Sequence, residues 1–158
     1  MADFLPLHVE HTGEFRLPVP LDQAFPLFTP EGERAWVPGW NPVYLHPRSP
    51  ASEAGTLFCT SHGGEETVWL VLRYEPFNGI AEYARVAPAT RAGTVRVHCT
   101  AVAGGETMVR VTYELTALTP AGNAILAAFT AEGYQAMLAE WAAAIRTDHP
   151  VPSGSQPP

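Results

Sequence analysis

The side chains able to do chemistry in this chain are few, and most fall in segments that alternate like β-strands. His11 is the one strongly polar residue on the apolar face of Leu7 to Leu17, either a hydrogen-bonded core histidine or a ligand contact. His62 ends a strand beside Gly63-Gly64, where it is a solvated rim residue or a general base. Arg73 and Glu82 flank a hairpin that sets them opposite one another. They form a structural ion pair, or they anchor a ligand carboxylate or phenol in an otherwise apolar wall. Tyr113 and Tyr134 carry hydroxyls on apolar rings, a combination that orients a ligand or simply packs. Trp36 and Trp40 bracket Val-Pro-Gly, as the lid of a cavity or as a satellite core under a loop. Asp22, Glu31 and Glu33 sit in first helical turns and read as dipole partners.

Recognised reaction motifs are missing from the sequence. There is no glycine-rich phosphate loop, nucleophile elbow, His-Glu-x-x-His or calcium loop, and His46, His62 and His98 are too scattered to be argued as ligands. No catalytic residue, metal or cofactor is assigned. The net charge is −7 and all nine cations are arginine, a balance that opposes nucleic acid or an anionic membrane as a main partner. No apolar run approaches the roughly 20 residues a bilayer requires, and Met1 to Glu10 lacks the pattern of a signal peptide. A cytoplasmic location is the expectation. Cys59 and Cys99 lack zinc-site spacing and are expected as buried, reduced thiols.

The elements that must position these residues follow from periodicity. Leu7 to Leu17 alternates with one polar face, as a half-buried strand does. The proline-dense stretch from Pro18 to Pro50 suits short helices, over Leu21 to Phe28 and near Pro30 to Trp36, then a weak strand over Val43 to His46. Five strands follow: Thr56 to His62, Thr67 to Tyr74, Ile80 to Val86, Thr94 to Thr100 and Thr107 to Ala117. Short turns join them as an antiparallel meander. With Arg73 opposite Glu82, the concave face takes Phe58, Thr60, His62, Trp69, Arg73, Glu82, Ala84, Val86 and Tyr113; a slip of one residue would invert the assignment. Thr119 and Pro120 then open one long helix to Arg146, whose stripe Leu126, Thr130, Tyr134, Met137, Leu138, Trp141 and Ile145 faces the sheet.

This order of elements resembles the START-like, helix-grip fold of the SRPBCC superfamily, which includes polyketide cyclase/dehydrase-like proteins. The similarity is carried by Phe25-Pro-Leu-Phe-Thr-Pro-Glu-Gly-Glu-Arg-Ala-Trp-Val-Pro-Gly-Trp40 and by Tyr134-Gln-Ala-Met-Leu-Ala-Glu-Trp-Ala-Ala-Ala-Ile145. It implies an α+β domain over residues 1–147, with a curved six- to seven-stranded antiparallel sheet around the C-terminal helix, two short helices after strand one, and a disordered proline-rich tail over 148–158. It also implies a ligand cavity between sheet and helix, and no particular reaction. The expected partner is a small hydrophobic molecule, lipid-like or aromatic, held near His11, Trp36, Trp40, Phe58, Thr60, His62, Trp69, Arg73, Glu82, Tyr113, Thr130 and Tyr134. A polyketide aromatase/cyclase-type enzyme is the first alternative, and a cochaperone-like interaction module using the surface around Trp36 to Trp40 is the second. Oligomeric state is left open.

Overall fold

The computed structural model describes residues 3–148. Of the expected tail, 148–158, Asp148 ends a helix and residues 149–158 lie outside the described residues. Seven strands form one antiparallel sheet in the order β1-β7-β6-β5-β4-β3-β2. They are β1 (His8–Leu17), β2 (Val43–His46), β3 (Leu57–His62), β4 (Glu65–Glu75), β5 (Ile80–Ala87), β6 (Arg91–Val102) and β7 (Glu106–Ala117). Strands β2 to β7 run as a meander, and β1 closes on β7, so the first strand becomes an edge beneath the C-terminal helix. Between β1 and β2 lie α1 (Leu21–Ala24), a 3-10 turn over Phe25–Phe28 and a second over Gly32–Ala35. Among the described residues no helix is long and apolar enough to cross a membrane.

Two features depart from the sequence expectation, and both bear on the cavity. The first is the C-terminal helix, which is two helices, α2 (Pro120–Ala128) and α3 (Ala131–Asp148). Phe129 leaves helical geometry at ψ 71°. Thr130 then caps α3, its Oγ1 accepting from the Gly133 N–H at 3.0 Å while its carbonyl accepts from Tyr134. Thr130 is exposed, so it is a cap and leaves the buried stripe. The break frees the Phe129 carbonyl, and His11 takes it through Nε2–H at 2.7 Å. The interior stripe of α3 is Tyr134, Leu138, Ala142 and Ile145, with Met137 and Trp141 half-buried beside it.

The second is a β-bulge in β4. Val71 pairs with Tyr83 but Arg73 pairs with Glu82, so Leu72 is an extra residue and the alternation of faces shifts there. Tyr74 turns inward against Phe25, ring centroids 5.8 Å apart. Arg73 turns outward.

The core lies between the concave face of β3 to β7, α3 and the turn segment. Its largest buried side chains include Phe28, Phe58, Leu17, Leu126, Tyr134, Leu138 and Ile145. Where α3 crosses β1, the strand carries Gly13: a Cβ there would lie 2.5 Å from Leu138 Cδ1, so the absence of a side chain sets how closely helix and strand approach. Both cysteines are free; Cys99 is buried, whereas Cys59 is half-buried.

Candidate functional site

The bulge corrects the inward set of β5. Ala81, Tyr83, Arg85 and Ala87 are buried, while Ala84 is only partly buried and Val86 is exposed. Glu82 pairs at 2.9 Å with Arg96, a residue of the convex face. Arg73, exposed, pairs with Glu75. The expectation that Arg73 and Glu82 form a polar spot on the cavity wall is thus overturned, although the two are opposite one another. Arg85 is the charged residue on the inward face of β5.

Three of the remaining candidates are committed to the scaffold. Tyr134 is fully buried and donates its hydroxyl to the Val111 carbonyl. His11, besides holding Phe129, stacks on the Tyr134 ring at 5.3 Å. Trp36 is 6% exposed, donates to the Leu27 carbonyl at 2.8 Å and sits edge-on to Phe28 and Trp141. It is a core residue under the turn segment, so the tryptophan patch that an interaction module would use is not on the surface.

Trp40, Thr60, His62, Trp69 and Tyr113 come together around a cleft between the sheet and the flank of α3, with Phe58 behind them. Its volume is about 480 Å³, within the range of small-molecule sites. Trp40, Trp69, Tyr113, Met137 and Trp141 supply apolar walls, and Thr60 and the exposed His62 lie at the mouth. Phe58 and Trp69 stack nearly parallel, 6.0 Å apart, and Trp40 meets both edge-on. Thr60 accepts the indole N–H of Trp69 at 2.9 Å and so fixes that wall. Inward the cleft continues into a small lobe of about 20 Å³, lined by Phe28, Phe58, Tyr83, Val95 and Val97. A second opening of about 300 Å³ lies under the break between α2 and α3, against Ile125, Leu126 and Phe129. Arg85, Arg91, Tyr113 and Met137 line both the cleft and this second opening.

The polar groups of the cavity differ in how they are satisfied. Arg91 pairs with Glu65 at 3.0 Å, and Thr90 donates to the same carboxylate at 2.7 Å, which together hold Glu65 below the usual carboxylate range. Arg85 is 9% exposed and stacks over Trp69, its Cζ 5.2 Å from the ring centre. Its hydrogen bond to Thr67 Oγ1 is long, 3.5 Å, and its Nε has no partner. Burial pushes its pKa down from the ordinary arginine value. Burial pushes the Tyr113 phenol up to about 12.

Glu33 faces the cleft and its inner lobe from the second 3-10 turn. Only partly buried by exposure, its carboxyl looks into the cavity, where desolvation raises its pKa to about 8. It is therefore a neutral acid at pH 7. The turn that carries it is pinned from both sides. Arg34 joins Glu31 and Asn41, Tyr44 donates to Glu31 at 2.7 Å, and Thr29 bonds Pro26 and Gly32. Gly32 packs against the Pro26 carbonyl so closely that any Cβ would collide with that backbone.

Neither a family model nor a curated protein sequence matches the chain. Solved structures do. Truncated norcoclaurine synthase from Thalictrum flavum superposes with a TM-score of 0.66 at 12% identity, covering 98% of this chain and 100% of that one. The Rhizobium loti protein Mll3558 gives 0.60 at 20% identity, over 89% of this chain and 99% of that one. Ara h 8.0201 gives 0.60 at 11% identity, over 86% and 96%. The chain shares the helix-grip fold of these structures.

Proposed function

We propose that this protein binds a small, largely apolar molecule with an aromatic or lipid-like body in the cleft between sheet and α3. The observation that carries the reading is the aromatic lining of a cleft of about 480 Å³: Trp40, Trp69, Tyr113 and Trp141 are held in place by the protein's own contacts and leave a gap instead of filling it. The similarly folded norcoclaurine synthase has been solved in complex with dopamine and hydroxybenzaldehyde, two aromatic molecules with polar ends, which supports that size and shape of ligand.

Binding is tested with N-phenyl-1-naphthylamine, a neutral fluorophore, on the wild-type chain and on Met137→Trp. Met137 borders both openings, so an indole there fills the space they share. Saturable enhancement in the wild type and its loss in a folded Met137→Trp variant are expected. Equal enhancement in both would place the dye elsewhere and overturn the reading. Native mass spectrometry of protein purified without added ligand then identifies what it carries.

A second reading, a polyketide aromatase/cyclase-type enzyme, is favoured by Glu33, since dehydration of a poly-keto substrate needs a general acid in a dry site and this carboxyl borders the cleft with its pKa raised by burial to about 8. Turnover of a β-hydroxy ketone by the wild type and not by Glu33→Gln would favour catalysis; binding without turnover in either favours a carrier.

A further inference from the structure

Arg85 is a cation taken out of water without the partner that normally accompanies such a move. Buried charges are paired or hydrogen-bonded, because desolvation otherwise costs more than the fold recovers. Among the described residues no carboxylate lies within ion-pair distance of its guanidinium; Glu65, the nearest acid on that wall by strand register, is engaged by Arg91 and Thr90. Stacking on Trp69 recovers only part of the cost, and the side chain borders both the cleft and the second opening. The remaining acids of the cleft do not compensate it either. Glu140 is exposed at the rim, and Glu33 is neutral. A chain of net charge −7 therefore keeps a buried cation without a direct ion pair where its cleft and its second opening meet, with Glu65 acting on it only from a longer distance.

We infer that Arg85 is the anchor for the carboxylate of an amphipathic monoacid, whose apolar body lies along Trp69, Trp40 and Trp141. The inference rests on the cleft being the binding site and names the class of ligand. A carboxylate fits the planar fork of guanidinium donors and supplies the direct counter-charge that Arg85 lacks. Tyr113, which borders the same spaces, adds a phenol that stays protonated and can donate.

The test compares 2-naphthoate with 2-naphthamide, nearly isosteric but neutral, by calorimetric titration at pH 7 on the wild type, Arg85→Met and Arg85→Lys. The wild type is expected to bind naphthoate at least about tenfold more tightly than naphthamide, the scale of one charge-assisted hydrogen bond. Arg85→Met should erase that preference, and it should melt no lower than the wild type, since it removes a buried charge that lacks a direct ion pair. Arg85→Lys should keep an intermediate preference, retaining charge without the fork. Equal affinities of the wild type for the two probes would overturn the anchor and leave the cleft as the site. Binding of neither probe would overturn both readings. Retention of the preference in Arg85→Met, or in Arg85→Lys if the methionine variant does not fold, at the full wild-type ratio, would assign the anion to another group.

Discussion

The contact between α3 and the sheet has two ends that both carry histidine, tyrosine and arginine, and they differ in how those side chains are satisfied. At the β1 end His11 holds the Phe129 carbonyl and Tyr134 the Val111 carbonyl, and Arg146 donates to the Arg16 carbonyl at 2.7 Å. Leu138 closes directly onto Gly13. At the end that faces β3 to β5, Arg85 has a free Nε and Glu33 carries its proton for want of solvent. The first arrangement is a finished core. The second is a surface folded inward with its polar valence unspent, which is the physical mark of a place where a ligand completes the structure.

The largest break in that comparison is expected at the packed end. Leu138 is 2% exposed and fills the seam over β1, so Leu138→Ala should cost about 2 to 5 kcal/mol in urea unfolding, with a comparable denaturant slope. Affinity for N-phenyl-1-naphthylamine, measured where the variant is still folded, should hardly move. A large loss of dye binding with little loss of stability would mean that the seam, and not the cleft, holds the ligand.

The next effect is at the open end and depends on pH. Glu33 has a folded pKa of about 8 against 4.5 for an ordinary glutamate, so between those values the folded state holds a proton that the unfolded chain has released. Stability is therefore full below about pH 4.5 and falls as pH rises toward 8, by at most about 1.4 kcal/mol per pH unit from this group. Glu33→Gln, which cannot ionise, should flatten the decline. Stability curves of wild type and variant that run parallel from pH 5 to 8 would show a solvated carboxyl, and the contrast between the two ends would then rest on Arg85 alone.

Much of this architecture was legible from alternation and turn residues. Val95, Val97, Cys99, Val109, Val111 and Leu115 are inward-facing and buried, as the period-two pattern of their strands requires. The inward face of β5 was not legible. The run Val68-Trp-Leu-Val-Leu72 is apolar at every position, with Leu70 and Leu72 37% and 40% exposed, so an inserted residue left no break in its pattern. Each face of β5 carries one charged residue, Glu82 or Arg85, so composition could not choose between them. The signal that could have chosen was the next hairpin. Ala87 opposite Arg91 puts Tyr83 opposite Val95, and Arg85 follows on the same face. The helix break was also written locally, in a threonine followed by Ala-Glu-Gly at a cap position. Glu33 was not, because a first-turn glutamate reads as a dipole partner until tertiary packing shows which way its turn faces.

The smallest expected effect is the sharpest check on the register. Arg73 and Glu82 lie opposite each other as the sequence suggests, yet on the convex side, where Glu75 and Arg96 engage them separately. Removing either breaks an ion pair that water replaces, so Arg73→Met and Glu82→Gln should each melt with the wild type and titrate 2-naphthoate with wild-type affinity. Were Leu72 not an extra residue, Arg73 would sit in the apolar wall beside Trp69 and Val71, and Arg73→Met would abolish the carboxylate preference that is here assigned to Arg85. Paired titrations of Arg73→Met and Arg85→Met with 2-naphthoate therefore locate the bulge by function: loss in the second alone fits the observed pairing, and loss in the first would move the whole inner face of β4 and β5 by one residue.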